Sequence, residues 1–155
     1  MSFFVKRAIT EQDYHQAQNL VLAYVKWLNI DLSYQQFEQE LVDFKNQYGP
    51  PTGGMLLLMT HNKPVGCLAI RHLEHKIGEL KRMFILENYR GKGQGRILLL
   101  RAIELARQLS YHKIRLDTLP TMRSAVHLYR SFGFCEIAPY RFNPHPDTIY
   151  MELNL

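Results

Sequence analysis

At 155 residues the chain has the length of one domain, 1–155, and its 46% hydrophobic residues are enough for a single covered core. No apolar run approaches the roughly 20 residues that span a bilayer, and Lys6 and Arg7 follow a short apolar patch, the reverse of a secretory leader, so the expected location is cytoplasmic with no membrane partner. The formal charge of +5 suits an acidic partner, but the lysines and arginines are dispersed instead of forming a block or an aromatic-interleaved stripe, which argues against a nucleic-acid binder.

In chain order, Phe3 to Ile9 reads as a first strand, after which Thr10 caps a helix with Tyr14, Ala17, Val21, Tyr24, Val25 and Leu28 at 3.6-residue spacing. Ser33 and Gln36 form a capping box for a second helix, whose stripe Phe37, Leu41 and Phe44 ends at Gly49-Pro50-Pro51. Met55 to Thr60, Pro64 to Leu73 and Ile77 to Ile85 read as an antiparallel meander. A helix from Ile97 to Leu109 and a strand from Lys113 to Thr118 then make a strand, helix, strand crossover, which implies a parallel pair. A shorter helix from Met122 to Phe132 ends at Gly133, and Phe134 to Ala138 and Ile149 to Leu153 supply the last strands. The fold class is α/β, an α+β mixed sheet with about four helices.

The stretch Arg90-Gly91-Lys92-Gly93-Gln94-Gly95 lies between the third strand of the meander and the crossover helix. Glycines let a backbone approach a ligand closely, and free N–H groups at a helix N-terminus favour negative charge, so phosphate is the expected guest. The pattern is not a P-loop, whose spacing and Ser/Thr it lacks, and it is not a dinucleotide fingerprint, whose glycine spacing and later acidic residue it lacks. Spacing alone also fits a glycine-rich turn that merely joins two elements.

Downstream, Ala125, Leu128-Tyr129 and Gly133-Phe134 extend the pattern. Arg-x-x-Gly-x-Gly followed by Ala-x-x-Leu-Tyr-x-x-x-Gly-Phe resembles the GNAT superfamily of acyl-CoA-dependent N-acyltransferases, and Arg7-Ala8-Ile9-Thr10-Glu11-Gln12-Asp13 resembles the family's opening, so the likeness spans nearly the whole chain. The resemblance implies the GNAT fold, a central mixed, mostly antiparallel sheet flanked by helices. It implies transfer of an acetyl group from acetyl-CoA to a primary amine by direct attack on the thioester, without a metal.

By the same resemblance, backbone N–H groups from Gly91 to Arg96 hold the coenzyme A pyrophosphate, with Arg90 and Lys92 adding charge. Met83, Phe84 and Ile85 lie along the pantetheine arm, Met83 and Ile85 through their backbones. Tyr129 is implied as the hydrogen-bond donor to the leaving thiolate and Glu79 as the general base. Each has a plainer reading, Tyr129 as a core residue with a satisfied hydroxyl and Glu79 as a strand-end charge that pairs with Lys81 or Arg82 or simply faces water. One departure is visible, since Met122 stands where the family commonly has asparagine.

Several conspicuous residues stay ambiguous. His72 and His75 have too few neighbouring ligands to predict a metal site. Tyr24, Trp27 and Tyr34 fit either an acceptor pocket or an amphipathic core face, as do Tyr140, Arg141 and His145 of the loop before the last strand. Cys67 and Cys135 read as buried thiols. The alternative function is a non-catalytic acyl-CoA-binding or sensor domain. Expected partners are a small-molecule or peptide amine and, through the family's C-terminal strands, a second copy in a homodimer.

Overall fold

The computed structural model describes residues 2–29, 31 and 36–155. The first strand β1 (Phe4–Arg7) leads into α1 (Glu11–Leu28) through a reciprocal cap. Thr10 Oγ1 accepts from the Asp13 N–H at 3.0 Å while Asp13 Oδ2 accepts from the Thr10 N–H at 3.1 Å. Of the predicted stripe the helix buries Tyr14, Ala17 and Val21, with Leu20 besides, while Tyr24, Val25 and Leu28 are half-buried.

The expected second helix differs. Ser33 lies outside the described residues, and Gln36 precedes the helix in the left-handed region without a side-chain cap. The segment is then split into α2 (Phe37–Val42) and α3 (Phe44–Gln47) at Asp43. At the junction Asp43 Oδ1 accepts from Asn46 Nδ2 at 2.7 Å. Of the predicted stripe Phe44 is buried, and α2 is anchored by the buried charge of Glu40.

β2 (Gly54–Thr60), β3 (Lys63–Glu74) and β4 (Ile77–Ile85) form the antiparallel meander. α4 (Gln94–Gln108) crosses to β5 (Lys113–Thr118), which pairs parallel with β4 as expected. α5 (Arg123–Ser131), β6 (Cys135–Ile137) and β7 (Ile149–Asn154) complete a seven-stranded sheet in the order β1-β2-β3-β4-β5-β7-β6. Alternation sends Leu56, Leu58, Leu68 and Ile70 to the α4 face and Met55, Leu57, Cys67 and Ala69 to the α1 face, so a core forms on each side. Cys67 is buried and its thiol is pushed up to about 12 by burial, whereas Cys135 is exposed, against expectation. The three-residue β6 lies at the sheet edge, paired with β7, and does not enclose its side chains. Among the described residues no helix is long and apolar enough to cross a membrane.

Two features of β4 shape the site. Its pairing with β5 covers Ile77–Glu79 against Lys113–Arg115, so beyond Glu79 the two strands diverge into a wedge. Between Cys67↔Phe84 and Ala69↔Lys81 the register slips by one residue, a bulge at Arg82, whose φ is 61°. The extra residue lets the Arg82 guanidinium reach Glu40 of α2 while Glu79 is held by Arg71 of β3.

Candidate active site

The loop between β4 and α4 provides the first half of the site. Gly91 and Gly93 have φ of 75° and 78°, a region that penalises side chains, and a Cβ on either would meet nothing within 4 Å. The loop therefore turns an open backbone face outward. Gly93 is the N-cap of α4 and its carbonyl receives the first helical bond, from the Ile97 N–H at 3.4 Å, so the N–H groups of Gln94, Gly95 and Arg96 precede the helical ladder. Lys92 and Arg96 are exposed beside them. Gly95 sits deeper, where a Cβ would touch Leu128 at 3.4 Å and Met83 at 3.5 Å. This donor set, with the helix dipole behind it, fits a pyrophosphate.

Arg90 is placed differently from its neighbours. Its Nε donates to the Ile85 carbonyl at 2.6 Å, and its guanidinium lies 4.6 Å from the Trp27 ring centre and 5.3 Å from that of Phe84. It ties the loop to α1 and occupies one lone pair of a carbonyl expected to serve a ligand. Phe84 faces α1 with Tyr24 and Trp27, at 5.5 and 5.9 Å between ring centres. Met83 turns the other way, toward α5.

The wedge is the second half. A cavity there is lined by Tyr24, Lys81, Met83, Asp117, Met122 and Tyr129, among others. Tyr129 is 6% exposed and donates its hydroxyl proton to Met83 Sδ at 3.5 Å, a weak acceptor. Burial, and then Tyr24 and Asp117, push its pKa above the ordinary tyrosine value, so the hydroxyl stays a proton-bearing donor. Asp117 Oδ2 is buried on the cavity wall without a hydrogen bond, with Arg141 Nε 3.9 Å away.

Glu79 lies outside the cavity lining. Its side chain is 1% exposed, Oε1 accepts from Arg71 Nε at 2.9 Å, and Oε2 accepts from the Tyr140 hydroxyl at 2.7 Å and from Arg141. Burial alone would raise its pKa, but Lys81, Arg141, Arg71 and the Tyr140 bond together hold it below the usual carboxylate value. Tyr140 and Arg141, ambiguous in the sequence, thus clamp Glu79. The neighbouring Thr148 donates to the His145 carbonyl at 2.7 Å, and Asn143 and Thr148 reach the cavity. His72 Nε2 is 3.1 Å from the His75 carbonyl and its ring stacks on Tyr111. Tyr34 lies outside the described residues.

The site thus combines a glycine-rich cradle at a helix start with a wedge between parallel strands that has a buried tyrosine in its lining. The family model described as Acetyltransferase (GNAT) family matches residues 21–134. The chain belongs to the GNAT family. Among GNAT relatives, an uncharacterized N-acetyltransferase of Schizosaccharomyces pombe is 36% identical over 150 residues, covering 93% of this chain and 90% of its own. One from Dictyostelium discoideum is 27% identical, with 90% and 94% covered. A GNAT-family acetyltransferase structure from Staphylococcus aureus superposes with a TM-score of 0.80 at 22% identity, over 99% of both chains, a likeness of fold.

Sequence reasoning missed Lys81 and Asp117 as cavity residues. A signal existed for Lys81: Glu79-Leu80-Lys81-Arg82 places three charges in a strand flanked by buried strands. Charged residues there are rarely idle.

Proposed function

We propose that the protein transfers an acetyl group from acetyl-CoA to a primary amine of a small molecule or peptide, by direct attack of the amine on the thioester. The observation that carries this reading is the adjacency of the open amides at 94–96 to the wedge beyond Glu79, since Gly95 lies against Met83, which lines the same cavity as Tyr129. Coenzyme A would supply the activated acyl group. The amides of Gln94, Gly95 and Arg96, with the Gly91 and Gly93 turns, would bind its pyrophosphate, and Lys92 would add charge. The backbone of Met83 to Ile85, unpaired with β5, would take the pantetheine arm as a further strand, with Ile85 O shared with Arg90.

Tyr129 would donate a hydrogen bond to the departing sulfur. An ordinary tyrosine and thiol differ by about 1.5 pKa units, so full proton transfer is uphill by roughly 2 kcal/mol, and burial of Tyr129 widens that gap. Its contribution is therefore stabilisation of charge on the sulfur. Glu79, proposed by resemblance as the base, has both oxygens engaged and a lowered pKa, which suits a structural anchor better than a proton acceptor.

The test is thiol release from acetyl-CoA across a panel of spermidine, phenethylamine, L-aspartate and a serine-terminated peptide, with Tyr129→Phe as control. Turnover on at least one amine, reduced about 10- to 100-fold by Tyr129→Phe at unchanged melting temperature, is expected. Coenzyme A binding without turnover on any amine would favour a sensor domain instead.

A further inference from the structure

We propose that Lys81 takes the proton from the attacking amine and that Asp117 seats the amine beside it, an assignment that rests on the acetyl-transfer reading above. Lys81, Asp117 and Tyr129 line one cavity, whereas Glu79 does not reach it. Lys81 comes from β4 and Asp117 from β5, the two strands whose divergence opens the wedge. Asp117 lines the cavity, and its buried Oδ2 has no hydrogen bond, only Arg141 Nε at 3.9 Å, so it retains the acceptor capacity an N–H group requires.

Lys81 is 6% exposed, a costly place for an ammonium. On its own strand it meets Glu79 and Arg82, from β3 Arg71, from α2 Glu40, and from β5 Asp117. Tyr24 of α1 and Tyr129 of α5 share its cavity, and Tyr140 and Arg141 close over Glu79. Burial first, then Arg82 and Arg71, outweigh Glu79 and Asp117 and lower its pKa to about 7. Near neutral pH a large fraction therefore carries a lone pair inside the cavity.

The step balances. The amine nitrogen forms a bond to the acyl carbon and becomes strongly acidic, and Lys81 Nζ takes its proton. The carbon–sulfur bond breaks with its electron pair on sulfur, facing the Tyr129 hydroxyl. Lys81 then returns its proton to solvent as the products leave. Asp117 accepts a hydrogen bond from the same nitrogen.

The experiment uses Lys81→Met, Lys81→Arg and Asp117→Asn with acetyl-CoA and the best amine of the panel. Lys81→Met is expected to lower kcat about 100-fold or more and to abolish the acid limb of the pH profile centred near 7. Lys81→Arg, which cannot shed its charge, should be as impaired. Asp117→Asn should raise the amine KM about 10-fold, and all three should keep coenzyme A affinity by calorimetry. Independently of turnover, the lysine side-chain nitrogen resonance that Lys81→Arg removes should titrate near 7 in the wild-type protein. Wild-type kcat with its acid limb intact in Lys81→Met, or a Lys81 resonance titrating near the ordinary 10.5, overturns the assignment alone. If Lys81→Met fails to fold, Lys81→Arg and the wild-type titration decide. A wild-type protein that binds coenzyme A but acetylates no amine overturns the acetyl-transfer reading, and this assignment with it.

Discussion

Arg82 of β4 grips Glu40 of α2 through two hydrogen bonds, Nε to Oε2 at 3.0 Å and the terminal nitrogen to Oε1 at 2.7 Å, with side chains 4% and 1% exposed. The pair fastens the short α2 to the bulged strand beside the wedge. Burial would raise the Glu40 pKa, yet Arg82 holds it below its ordinary value. Removing one partner leaves a buried charge, so Glu40→Gln should cost about 3–5 kcal/mol and lower the melting temperature by on the order of 10 °C. Thermal unfolding checks this, and a loss under about 1 kcal/mol would mean that water reaches the pair.

Glu79 has a comparable anchoring role with a different consequence. Glu79→Gln leaves Arg71 and Arg141 without their carboxylate, and the 140–148 loop that brings Asn143 and Thr148 to the cavity should loosen. The expected outcome is a stability loss of about 2–3 kcal/mol and a raised amine KM, with the acid limb of kcat unmoved. Loss of that limb in Glu79→Gln would restore Glu79 as the base.

Gly93 tests the cradle. Gly93→Ala places a Cβ at φ 78°, a strain of about 1–2 kcal/mol, although the added methyl meets no protein atom within 4 Å. Coenzyme A affinity of the folded protein should fall by about 10-fold or more, because the open side of the turn is where the proposed diphosphate would lie. Equal affinity in calorimetry would place the diphosphate elsewhere.

Asp13 predicts the acid response of the fold. Burial opposes its ionisation, but the bonds from Lys6, Ile9 and Thr10 prevail and lower its pKa from 3.8 to about 2. A depressed folded pKa contributes stability that is fully present above about 4 and lost as pH falls through about 2. Asp13→Asn should therefore melt earlier than wild type at neutral pH, with the two curves converging at strongly acid pH.

Much of this fold is legible in the sequence because it rests on local chemistry. Thr10 and Asp13 cap α1 reciprocally, and the meander follows from alternation bounded by turn residues. The break at Asp43, where φ is −105° and ψ 24°, escaped because apolar spacing runs on through a single non-helical residue and cannot register it. Arg90 escaped for a related reason: its motif position suggests phosphate, but the aromatic face of Trp27 and Phe84 and the Ile85 carbonyl hold it on the other side. Lys81 needed the three-dimensional wedge, since its environment is assembled by residues from β3, α2 and β5 that are distant in sequence.

The proposed acetyl transfer requires that the loop amides at 94–96 and the wedge hold coenzyme A. Titrating the wild-type protein with coenzyme A in a calorimeter tests this directly. A saturable one-to-one heat with micromolar dissociation, weakened by Gly93→Ala and left intact by Lys81→Met, is predicted. A flat titration up to millimolar coenzyme A would contradict it.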